Sequence, residues 1–209
     1  MNSCFSPLTT PLQASVASVT NYSELQIRTA CLKDLSSLAT VLAESFHPPE
    51  GWMSLVYPVL KLGIYEDLRS RFNSASDNYL CLVASVPSSD INKNKEEAVA
   101  TVEMALRSHS FPLEEPRYPY ISNLAVRKAH RRKGIAYKLL VSCEHQAREW
   151  GFSELYLHVL DNNEQAKQLY FNRGYQVCRI EPNYSPWLFK NPRRLFLRKY
   201  LLAARNISS

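Results

Sequence analysis

Residues 121–140 read ISNLAVRKAHRRKGIAYKLL, and within them the apolar period changes from that of a strand to that of a helix. Ile121 to Val126 is a β-type run. Ile135, Ala136, Leu139 and Leu140 then open an apolar helical face that Cys143, Ala147 and Trp150 continue, which predicts a helix from Arg132 to Trp150. Between the two lie Arg127, Lys128, Arg131, Arg132 and Lys133, followed by Gly134. The first turn of a helix presents unpaired N–H groups and the positive end of the helix dipole, which together suit an anion. A ligand reaches those N–H groups only where no side chain stands over them, a condition that Gly134 meets and Ala136 nearly meets. Lys and Arg at a helix N-terminus oppose the dipole, so the cluster makes more sense with an anion to neutralise it. The plain alternative is a basic, solvated turn. It is not a Walker loop, since GxxxxGK[ST] is missing, nor a dinucleotide fingerprint, since GxGxxG is missing.

Outward from this unit, Leu25 to Ala30 alternates as a strand, and Leu35, Leu38, Ala39, Leu42 and Phe46 follow at helical spacing up to Pro48-Pro49. A second helical pattern runs from about Trp52 to Phe72, with Pro58 as a candidate break. Tyr79 to Val86 and Ala98 to Arg107 are β-rich runs joined by a polar segment, Pro87 to Glu97, and Tyr118 to Arg127 is a third. Glu154 to Leu160 reads as a strand, Asn163 to Arg173 as a helix stopped by Gly174, and Tyr175 to Ile180 as a strand. A loop rich in Pro and aromatics, Glu181 to Pro192, precedes a last strand, Arg194 to Leu201. The order β-α-α-β-β-β-α-β-α-β-β predicts an α/β fold with a mixed, partly parallel sheet.

A chain of 209 residues, 45% of them hydrophobic, is long enough to bury one core without metal or disulfide staples. Cys4, Cys31, Cys81, Cys143 and Cys178 are scattered and never spaced as CxxC, which reads as reduced thiols. His47, His109, His130 and His145 show no ligand spacing, so no metal is expected. No run approaches the roughly 18 apolar residues that would span a bilayer, and no membrane partner is expected. The net charge of +6 is concentrated at 127–133 and 190–205. That suits one polyanionic small ligand better than a duplex, so no nucleic acid is expected. Met1 to Ser23 carries no charged side chain and eight Ser or Thr. It reads as a flexible leader before a domain spanning 24–209, with a short transit peptide as the alternative. The corresponding locations are the cytoplasm and, for the alternative, the plastid.

A second motif lies downstream. Residues 155–177, LYLHVLDNNEQAKQLYFNRGYQV, place Asn163, Ala166, Leu169, Tyr170, Gly174 and Tyr175 in the pattern N-x-x-A-x-x-L-Y-x-x-x-G-[FY]. With Arg131, Gly134 and Ala136 after LAV, this resembles the Gcn5-related N-acetyltransferase (GNAT) family. The resemblance runs from roughly Leu25 to Leu201 and is densest over 120–178. It implies a single domain, a three-layer αβα sandwich on a mixed sheet, with acetyl-CoA as co-substrate. In that family the strand bearing Leu124, Ala125 and Val126 pairs its backbone with the pantetheine arm. Arg131, Arg132, Lys133, Gly134, Ile135, Ala136 and Tyr137 would cradle the pyrophosphate, and Asn163 and Ala166 would complete the cofactor wall.

The resemblance also implies a general acid at Tyr170, protonating the departing thiolate; a Tyr hydroxyl of pKa about 10 is adequately matched to an alkyl thiol. The alternative is a core aromatic on the helix's buried face. Tyr156 and His158 share one face of their strand, and a His titrating at about 6.5 suits proton removal from an amine through water. Tyr120 with His158 resembles the branch of the family that acetylates protein N-termini, where a Tyr and a His occupy these places. A structural histidine is the alternative, and Glu103 is the rival base. The function implied is acetyl transfer to a protein or peptide amine, an N-terminal α-amine and/or lysine, in a ternary complex of a monomer or homodimer. A small-molecule amine acetyltransferase and a non-catalytic acyl-CoA-binding module are the competing readings.

Overall fold

The computed structural model describes residues 25–46, 51, 53–74, 78–87, 96–108, 117–181 and 192–201. The expected leader, most of the hairpin segment after Pro87 and most of the Glu181–Pro192 loop, with Tyr184, Trp187 and Phe189, lie outside these residues. So does Trp52. The described elements are β1 (Gln26–Thr29), α1 (Leu35–Phe46), α2 (Met53–Asn73), β2 (Tyr79–Pro87), β3 (Glu96–Arg107), β4 (Tyr118–Val126), α3 (Ile135–Glu149), β5 (Glu154–Leu160), α4 (Glu164–Asn172), β6 (Gln176–Glu181) and β7 (Arg194–Tyr200). They form one seven-stranded sheet in the order β1-β2-β3-β4-β5-β7-β6, in which only β4 and β5 run parallel.

The near-continuous apolar run of β2 follows from burial on both faces. Leu80, Leu82, Ala84 and Val86 point to the side of α3, where Ile135, Leu139, Leu140, Cys143 and Ala147 complete the larger core. Cys81 and Val83 point the other way, to Leu35, Leu38, Ala39 and Leu42 of α1 and Leu68 of α2. The three-layer αβα arrangement on a mixed sheet is thus present in one domain. No helix among the described residues is long and apolar enough to cross a membrane.

Pro58 does not break α2, which is continuous. Pro58 and its neighbours Ser54 and Leu55 are exposed, so the carbonyl that loses an amide partner is open to water. Behind the large core, Glu144 of α3 is almost fully buried and ion-paired with Arg173 just past α4 and with Lys199 of β7, the latter at 2.7 Å. A buried carboxylate needs this compensation, and the cluster ties three elements together.

Candidate active site

β4 and β5 pair only at Tyr120 with Tyr156 and Ile121 with Leu157. Beyond that point β4 continues against β3 and β5 against β7, so the strands part. β4 also carries a bulge. Thr101 faces Ala125 while Glu103 faces Ser122, so three steps on β4 match two on β3, and Asn123 sits at φ +52. A cavity of about 460 Å³ lies beside this part of β4. Leu124, Ala125 and Val126 line it from β4, Arg131, Arg132, Gly134, Ile135, Ala136 and Tyr137 from the turn and first turn of α3, and Asn163, Ala166 and Tyr170 from the α4 side. Ser45 and Phe46, at the end of α1, also line it and were not foreseen.

The turn corrects one expectation. The helix begins at Ile135 rather than Arg132, because Arg132 (φ +65) and Gly134 (φ +75) are left-handed and interrupt it. The cations therefore sit in a loop and not on the helix itself. Lys138 is the first residue whose N–H enters the helical ladder, bonding the Gly134 carbonyl at 3.0 Å. The N–H groups of Ile135, Ala136 and Tyr137 precede it. No acidic side chain lies in this first turn, and a Cβ on Gly134 would meet no protein atom within 4 Å. Arg131 is drawn back to the strand, its Nε donating to the Val126 carbonyl at 3.0 Å. Lys133 is not among the lining residues; its charge helps burial to lower the pKa of His130, which does line the cavity.

The opposite wall is set by capping. The Asn163 side chain accepts the Ala166 N–H at 3.1 Å, starting α4. Gly174, at φ +84, ends it by returning the Tyr175 N–H to the Tyr170 carbonyl at 3.0 Å. Tyr170 is thereby fixed in the cavity wall, its ring edge-on to Tyr175 at 5.8 Å. Burial pushes its hydroxyl well above the ordinary tyrosine pKa, and the nearby Tyr120 adds to this.

Where β4 and β5 part, the Tyr120 hydroxyl lies 2.8 Å from His158 Nδ1. His158 Nε2 lies 3.1 Å from Glu181 Oε2, and Arg179 holds the other oxygen of Glu181 at 2.6 Å. Arg107 stacks on the Tyr120 ring at 3.8 Å. Burial lowers the His158 pKa below its ordinary value, with Arg194 and Arg107 acting in the same direction and Glu181 opposing them. Neither Tyr120 nor His158 lines the cavity itself; both stand beside it, where the strands separate. Glu181 and Arg107 were missed in the sequence. Glu181 closes β6 rather than opening a loop, and nothing local marks it as facing a histidine 23 residues away. Glu103 is buried, paired with Arg71 at 2.9 Å, and accepts from Tyr79 at 3.1 Å and Asn123 at 2.8 Å.

A family model described as the acetyltransferase (GNAT) family matches residues 49–175. The chain belongs to that family. GCN5-related N-acetyltransferase 10, chloroplastic, of Arabidopsis thaliana is 32% identical over 179 residues, covering 80% of this chain and 68% of that protein. Three further Arabidopsis GCN5-related N-acetyltransferases, also named chloroplastic, are matched over 28%, 21% and 26% of their lengths, so the chain spans about a quarter of those relatives. Among solved structures, the ribosomal-protein-S18-alanine N-acetyltransferase from Escherichia coli superposes with a TM-score of 0.58 at 16% identity, covering 88% of this chain and 99% of that one. The structure of yncA from Salmonella typhimurium with its cofactor acetyl-CoA gives 0.60 at 16% identity, covering 89% and 99%. This GNAT chain is an acetyl-CoA-dependent N-acetyltransferase, and its cavity fits that co-substrate. Arg131, Arg132, Gly134 and the first turn of α3 line one side of it, and the part of β4 beyond its β5 pairing lines another.

Proposed function

We propose that this GNAT enzyme acetylates the α-amine at the N-terminus of a protein or peptide, by direct transfer in a ternary complex, within the plastid. The observation that carries the reading is the hydrogen-bonded line from Tyr120 through His158 to Glu181, beside the end of the cavity lined by Tyr170. Leu124, Ala125 and Val126 hold the pantetheine arm along β4. Arg131, Arg132 and the N–H groups of Ile135, Ala136 and Tyr137 hold the pyrophosphate, with Asn163 and Ala166 across from them. Bound there, acetyl-CoA supplies an activated acetyl thioester.

The protein's part is the movement of protons. With His158 Nε2–H donated to Glu181, Nδ1 accepts from the Tyr120 hydroxyl, which fixes the tautomer. A proton taken from the amine at Tyr120 Oη then passes to Nδ1, and Glu181 stabilises the resulting cation. Tyr170, protonated at any working pH, is placed to donate to the sulfur that leaves. The α-amine preference has a simple chemical basis. At pH 7 an amine of pKa roughly 7.7 to 8.0 is about a tenth neutral, whereas a lysine at about 10.4 is far below one per cent neutral. A base of lowered pKa, such as His158, serves the first more readily. The E. coli neighbour's name specifies a ribosomal-protein alanine, which supports a protein acceptor. The names of the Arabidopsis relatives support the plastid over the cytoplasm.

Mass spectrometry of peptides bearing both a free N-terminus and an internal lysine tests the acceptor. Acetylation is expected at the N-terminus; exclusive modification of lysine, or activity on small amines only, would overturn the preference. The pH dependence tests the base. His158 must be neutral to accept a proton, so kcat/KM falls on the acid side as it becomes charged. Arg107 disfavours that charge and Glu181 favours it. Arg107→Leu is therefore expected to move the acid limb to higher pH, and Glu181→Gln to move it to lower pH. Movement of both in the same direction would remove His158 from the proton path.

A further inference from the structure

The bulge in β4 is held from outside the cavity. Asn123 occupies the left-handed region at φ +52, which costs any residue with a side chain and which Asn tolerates best. Its side-chain Nδ2 donates to Glu103 Oε1 at 2.8 Å across the β3–β4 ladder. Glu103 is only 2% exposed, and its other oxygen receives Arg71 Nη1 of α2 at 2.9 Å and the Tyr79 hydroxyl at 3.1 Å. Arg71 is in turn paired with Asp67 on its own helix. A buried carboxylate with all these donors is fixed in position, and so is the amide that points at it. The next three residues after Asn123 are Leu124, Ala125 and Val126, which line the cavity. The ladder to β5 has stopped two residues before it, at Ile121.

We propose that Glu103 and Asn123 are positioning residues for acetyl-CoA. Their hydrogen bond locks the left-handed residue whose bulge turns the end of β4 out of register with β3, and so aims its free edge along the cavity. Neither side chain lines the cavity, and each acts through the backbone of 124–126. The proposal rests on the assignment of that edge to the pantetheine arm.

The decisive variants keep the backbone preference and change only the match between donor and acceptor. Asn123→Asp tolerates φ +52 as Asn does but sets a second carboxylate against Glu103. It is expected to lower kcat/KM for acetyl-CoA by roughly ten- to a hundredfold, the scale of a hydrogen bond to a charged group. Adding Glu103→Gln reverses the bond: the Gln amide donates to Asp, while its oxygen still accepts from Arg71 and Tyr79. The double variant is expected to recover most of the loss, and it stays informative if the single variant folds poorly. Thermal unfolding is recorded alongside. Variants whose melting temperature moves while the acetyl-CoA KM of the folded enzyme does not would overturn the positioning role. So would a double variant no better than the single one. Amide hydrogen exchange of the unaltered enzyme separates the two layers of the argument. Absence of acetyl-CoA protection over residues 122–126 removes the edge assignment, and the proposal with it. Protection there, together with unchanged KM in Asn123→Asp, removes the proposal alone.

Discussion

Gly134→Val abolishes acetyl-CoA binding in calorimetry while the domain stays folded: this is the largest effect expected from a single substitution. The isopropyl group enters the open space above the first turn of α3, where a Cβ meets no protein atom within 4 Å. It is expected to cover the N–H groups of Ile135, Ala136 and Tyr137, to which the proposed function assigns the pyrophosphate. Valine at φ +75 also strains the turn, at an order-of-magnitude cost of about 1–3 kcal/mol, which a domain of ordinary stability survives. Gly134→Asp separates the two contributions. Asp tolerates the left-handed region, so the strain is small, and its carboxylate repels the phosphates. Both variants are expected to lose binding, and Asp with the smaller drop in melting temperature. Normal affinity in the two variants would show that the anion site lies elsewhere.

The second large effect falls on turnover. Tyr170→Phe preserves the buried ring and its edge-on contact with Tyr175 and removes only the hydroxyl. Acetyl-CoA affinity should therefore hold, while kcat falls roughly ten- to a thousandfold, the usual range for a general acid. Because burial holds this hydroxyl protonated, the deficit should be the same across the working pH range. A pre-steady-state measurement of free thiol release isolates the chemical step from product release. Unchanged rates there would leave Tyr170 a packing residue.

Local features of the site were legible in the sequence, and those made by pairing were not. The N-cap at Asn163, the stop at Gly174 and the placement of Tyr170 between them depend on contacts within a dozen residues, which a motif records directly. Strand alternation likewise put Tyr156 and His158 on one face. What stands behind His158 is a matter of sheet register: β7 lies between β5 and β6, and no periodicity in one strand reveals its neighbour's neighbour. Glu181 and Arg107 were invisible for that reason. Glu103 stood out as a charge inside an apolar strand, but its partner Arg71 belongs to a helix whose docking the strand does not encode. The start of α3 was misplaced because apolar spacing reports which way side chains face, whereas φ at Arg132 and Gly134 decides where the helix begins.

The two-residue contact between β4 and β5 has a consequence for the enzyme's lifetime. The sheet narrows at its centre to two paired positions on each strand, and on the proposed assignment the acyl donor lies along the β4 edge beyond them. Binding of the folded state alone adds roughly 2.7 kcal/mol of stability at about a hundredfold excess of donor over its dissociation constant. Without the donor that increment is absent, and the few pairings between β4 and β5 hold the two sides of the sheet together with the packed core alone. On that assignment, resistance of the folded chain to proteolysis is expected to rise with the concentration of acetyl-CoA, which limited proteolysis across a titration of the donor checks.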